Sequence, residues 1–365
     1  MLKRRDFLLG GFSLAALGAL GSGRLLAQTP ERCFISAATT AAGEHRILVA
    51  DQQGKLLHNL PVGERGHAGC LRPGTDEVAF FSRRPGHLLN IVDLQQGRLT
   101  RVVHSVEGEH FYGHGVFSPD GKRLYATAHR YEESEGVLNI YAADQDYAQV
   151  GQIGLGVMDP HEVCLHPNGR DLVVAAGGIQ THPDYGRIKL NLDRMQPELL
   201  VVDRFREEVT QRHRPSHHQL SIHHLDISPD GIVVAGYQFE GPEWEQPNLI
   251  AWLDVERQTF AEIRLPEADQ LSLRNYIASV AIDPHTGVAA VTAPRGNRMA
   301  LLDYRQQRYL GSVELNDVSG VMPLPGGGFV CTSGLGGVYR LAPESQQLTR
   351  VQADAFRWDN HLTAV

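Results

Sequence analysis

The sequence predicts an all-β chain folded as a seven-bladed β-propeller, with the last blade closed by N- and C-terminal strands. Three observations carry that expectation. A strand, turn, strand unit that is clearest in residues 113–129 (GHGVFSPDGKRLYATAH) recurs in degenerate form along the chain. Its turns keep Pro, Asp or Asn, and Gly for a mechanical reason: Pro presets the first corner, Asp or Asn bonds its own backbone, and Gly accepts positive φ. The interval is the third observation. Alignment on Pro73, Pro119, Pro167, Pro229, Pro284 and Pro325 puts successive units 41 to 62 residues apart, the roughly 40–50-residue period of propeller blades with insertions added.

Taken in order, residues 66–81, 113–129, 160–175, 223–236, 278–291 and 319–331 each read as a first strand, a tight turn and a second strand. Apolar, β-branched runs such as 137–142 and 148–153, or 199–203, supply the outer strands. Four strands per repeat make a blade. Six blades are thus continuous in sequence, and the ends build a seventh. Residues 359–365 match the first strand of a unit without its turn, and residues 32–38, 45–51 and 55–60 provide the other three. Such closure removes an open sheet edge. A ring of this kind accounts for residues 28–365 as one domain.

Residues 1–27 stand apart. Lys3, Arg4 and Arg5 precede an apolar stretch from Phe7 to Leu20, then small residues and Ala27. The run is too short and Gly-rich for a membrane span, and the mature chain is expected to have none. Arg4 and Arg5 followed by Asp6, Phe7 and Leu8 resemble the twin-arginine export signal, which addresses a bacterial protein to the periplasm. The whole chain carries a formal charge of −8. Removal of the segment leaves a more acidic protein, an unsuitable partner for nucleic acid. Four cysteines, Cys33, Cys70, Cys164 and Cys331, are too few and too dispersed for a disulfide framework. Cys70 and Cys164 recur three residues after His67 and His161, and packing between blades is the expected role.

Histidine is the residue that points to chemistry. There are 18, and His67, His114, His161, His224 (beside His223) and His361 all fall at the start of a first strand, which in a propeller lines the central channel. Neutral imidazoles converging there would make a ligand set for a transition metal such as iron, copper or zinc. Strand capping by histidines copied with the repeat is the competing explanation. Loops on the same face add polar groups: His110 leading into one blade, His129 leaving its second strand, and His182, Arg187 and Lys189 in the long insertion at 177–193, with Tyr276 further round. Together with Arg83, Arg84, Arg295 and Arg298 they form an expected rim suited to an anionic ligand or partner. His217 and His218 belong to a peripheral connection. No strand–loop–helix context supports nucleotide binding, and neither a Gly-x-Ser-x-Gly elbow nor a Cys-x-x-Cys-His haem motif is present.

With its twin-arginine start and the phrases at 111–121 (FYGHGVFSPDG), 159–162 (DPHE), 177–184 (GGIQTHPD), 189–193 (KLNLD) and 275–280 (NYIASV), the chain resembles a bacterial family catalogued as domain of unknown function 1513. The resemblance implies an exported seven-bladed propeller. It also implies a role in iron or other metal handling, alongside periplasmic iron-uptake or redox proteins. It implies no reaction. Three functional classes stay open at this point: a metal-handling or metal-sensing propeller, a non-catalytic scaffold docking protein partners on the same face, and a metal-dependent lactonase-like hydrolase.

Overall fold

The computed structural model describes residues 33–365 apart from Arg187. The expected signal segment at 1–27 and the rim residue Arg187 therefore lie outside the described residues. Seven antiparallel sheets form a closed ring. Six contain four strands in chain order, and the seventh joins residues near both ends. The first strands are Gly66–Leu71, Glu109–Phe117, Pro160–Leu165, Leu220–Ile227, Ser279–Asp283 and Val318–Pro323 for blades one to six. These strands lie side by side around the axis. Among the described residues, no helix is long and apolar enough to cross a membrane.

Blade seven has the expected composite construction. Cys33–Thr39 pairs with His45–Asp51 on one side, and with Arg357–Trp358 and Thr363–Ala364 on the other. The backbone of Asp359 donates to Ala37 at 2.9 Å, and Val365 donates to Cys33 at 2.9 Å. Phe34 and Trp358 meet at 5.8 Å between ring centroids, so apolar contact and ladder bonds fasten the ring together.

The core is distributed between blades. Phe81 of blade one packs with Phe111, Phe117 and Leu124 of blade two, for example, and each such buried side chain contributes about 2 kcal/mol by removal from water. Second and third strands are buried almost throughout, as in Glu198–Asp203, while outer strands such as Glu208–His213 alternate with solvent. Cys70 and Cys164 pack against these inter-blade clusters, and none of the four cysteines forms a disulfide. The long insertion in blade three is braced internally by Asn191, which accepts from the Gln180 backbone amide and donates to Gly178, and Gln180 ties it to blade two by donating to Ser134 at 2.9 Å.

Candidate metal centre

A local irregularity aims the histidines. In blades one to four and in blade six the first strand changes register against the second, between Gly66 and Gly69, Phe111 and Gly115, Pro160 and Glu162, Ile222 and His224, and Val318 and Val321. A β-bulge leaves extra residues unpaired and re-aims a side chain. The bulged residues include His67, His114, His161 and His223, with Ser319 in blade six. Blade five pairs regularly from Ser279 to Asp283 and contributes no axial histidine. In blade seven His361 occupies the break between the two short terminal strands. Carbonyls released by these irregularities are recovered by hydroxyls. Thr127 lies 3.1 Å and 3.2 Å from the carbonyls of His114 and His161, and Ser36 donates to that of His361 at 2.6 Å. Gly113 is required at its position: its φ is +108°, and a Cβ there would lie 2.5 Å from His67 Cδ2.

The result is a buried imidazole cluster on the axis. His361 lies 4.5 Å from His67, 4.7 Å from His114 and 4.4 Å from His224 between ring centroids, and His161 lies 4.8 Å from His224. Two triads, His67–His114–His361 and His114–His161–His224, each bring three ligand atoms within 4.8 Å of one another. In the first triad the Nε2 atom of all three rings is buried without a hydrogen-bond partner, and in the second so is Nδ1 of His161. In three of the rings, His67, His114 and His224, Nδ1 rests on a carboxylate. His67 Nδ1 faces Asp359 at 3.4 Å, while Glu162 spans His114 Nδ1 at 3.3 Å and His224 Nδ1 at 3.1 Å. A carboxylate behind an imidazole fixes its tautomer and turns the other nitrogen toward a metal.

Electrostatics agree with that arrangement. Burial first, then repulsion from neighbouring imidazoles, holds His67, His161 and His361 well below the ordinary value of 6.5. Burial also lowers His224, in spite of Glu162. Burial alone would raise Glu162, but His114 and the bonds from His114 and His224 outweigh it and keep the carboxylate ionised. Neutral rings and an ionised support are the forms that bind a cation.

All five sequence-predicted ligands, His67, His114, His161, His224 and His361, are thus brought together. Lys189 and Tyr276 line a cavity of about 170 Å³ at the mouth, whose floor includes His67, His161 and His224. His182 stands outside it, against Tyr131 at 5.5 Å. His110 and His129 lie in strands, paired across blade two and buried behind Tyr112, where a rim loop was expected. Sequence reasoning missed Glu162, Asp359 and the axial part played by His223, which stacks on His161 at 4.3 Å. The acids adjoin histidines in sequence, immediately after His161 and two residues before His361, and that adjacency was the available signal.

The family model described as Protein of unknown function (DUF1513) matches residues 60–365. The chain belongs to this family. A comparison with curated proteins finds no match. Among solved structures, this family member is similar to Kuenenia stuttgartiensis hydrazine synthase, with a TM-score of 0.62 and 14% identity over 93% of this chain and 100% of that one. At that identity the likeness shows the propeller fold alone.

Proposed function

We propose that this protein is an exported, periplasmic propeller that binds one transition-metal ion on its axis and serves in metal handling. His67, His114 and His361 would be the principal ligands, with His161 and His224 at hand to complete the coordination. The observation that carries the reading is the convergence of bare, buried nitrogens from His67, His114, His361 and His161, with Asp359 behind His67 and Glu162 behind His114. Strand capping requires no such convergence. A donor set of imidazoles suits iron, copper or zinc, and the setting implied by the family resemblance favours iron among them. Export rests on Arg4 and Arg5. Changing both to Lys should leave folded precursor in the cytoplasm.

Elemental analysis of the protein recovered from the periplasm of its native host tests the metal reading. About one transition-metal ion per chain is the expected result. Metal-free protein that also fails to take up iron, copper or zinc in vitro would remove it and favour the scaffold.

A further inference from the structure

The mouth cavity sits directly over the histidine floor and is lined by four cationic side chains, Arg83, Arg84, Lys189 and Arg295, and by no carboxylate. Three of the four are already matched from behind: Arg83 by Asp359 and Arg84 by Asp159, each at 2.8 Å, and Lys189 by Glu240. Arg295 differs. Its guanidinium lies 4.1 Å over the ring of Tyr276, and among the described residues no carboxylate is paired with it. Stacking holds the planar fork in place while leaving its N–H groups to another acceptor. Since Arg65 also pairs with Asp359, positive charge exceeds negative charge at the cavity wall, and a bound metal ion would add more beneath. The volume exceeds that of one water several-fold, a water needing about 10–15 Å³ of such space.

We infer that the mouth cavity binds a small carboxylate anion, a mono- or dicarboxylate, clasped by the guanidinium of Arg295 and able to approach the axial ion with its other oxygens from the side of His67, His161 and His224. Guanidinium and carboxylate match as planar, bidentate partners, and the metal would accept a hard oxygen donor on its cavity side. This inference rests on the proposed metal site for its second contact, but not for its first.

Calorimetric titration of malonate into zinc-loaded and zinc-free protein tests it, with zinc content measured on the same samples. Malonate should bind the zinc-loaded protein one to one. Arg295→Gln should weaken binding by at least about tenfold, the loss expected for one charge-assisted hydrogen bond, and Arg295→Lys should fall between. Arg298→Gln, in a pair with Glu314 on an outer strand, should match the parent. Should zinc fail to load while the zinc-free chain binds malonate in an Arg295-dependent way, the anion site stands and the metal reading falls. Equal affinity in the parent and in the folded Arg295 variants, or no binding at millimolar malonate with zinc fully loaded, overturns the inference.

Discussion

Two groups of histidines are buried in this ring, and they differ in what surrounds them. His110 and His129 face each other across blade two at 5.5 Å, and both nitrogens of His129 lack a partner. By burial and bare nitrogens alone they would rank with the axial rings. Yet among the described residues no carboxylate bonds either ring, and His110 Nδ1 is taken up by the carbonyl of Phe111. Among the axial rings, His67 has Asp359 behind it, His114 and His224 have Glu162, and open space adjoins all five. One cavity of about 170 Å³ adjoins His67, His161 and His224, and another of about 450 Å³, on the opposite side, adjoins His114 and His361. A ligand set therefore needs orientation and access as well as burial.

The largest expected break comes from deleting residues 359–365. This removes Asp359, His361 and the terminal strand together, so metal uptake should vanish and the melting temperature should fall by about 10 °C or more. An unchanged melting curve would contradict ring closure. Replacing His114 and His161 by Ala, which disables both triads, should abolish most metal uptake in a protein that still folds, as read from the metal-to-protein ratio. Replacement of His110 and His129 should leave that ratio near the parent value.

A smaller effect is expected from Glu162→Gln, which keeps the shape but weakens the support behind two imidazoles. Metal affinity, measured by competition with a chelator, should drop by about 10- to 100-fold. The other group has its own signature in acid. Burial lowers His110 to about 4 and His129 to about 3 from 6.5. The unfolded chain takes up protons below about 6.5 that the folded form refuses. These two rings should therefore take stability from the metal-free protein as pH falls from 6.5 toward 3, and contribute no pH dependence above that window. Urea midpoints across this range should fall less steeply in His129→Gln. Least of all should change on replacing His217 and His218 by Ala. Those rings stack at 4.7 Å on the periphery, and metal content should be unaltered.

Much of this was legible in the sequence because turn chemistry is local. The Pro-Asp-Gly turns mark each blade without any knowledge of its neighbours, and the position of His67, His114 and His161 within the repeat identified the axis. The bulges were not legible. A bulge is a relation between two strands, and Gly66, Phe111 or Pro160 carry no mark saying which partner they skip. The rim location expected for His110 and His129 failed because strand Glu109–Phe117 begins before residue 113, where the repeat unit was expected to start, and strand Arg123–Arg130 runs past His129. Glu162 and Asp359 went unassigned since their partners, His224 and His67, are remote in sequence and meet them only through the ring.

That ring geometry has a consequence for the order in which the protein is made. His361 follows every other axial ligand in the chain, and its supporting neighbour Asp359 orients His67 from nearly three hundred residues away. Five blades bring the imidazoles together, but the third member of the first triad is delivered only when blade seven is sealed by residues from the two ends. A nascent or prematurely stopped chain holds at best a partial ligand set. Metal loading at the first triad would in this sense report that residues 357–365 have joined blade seven.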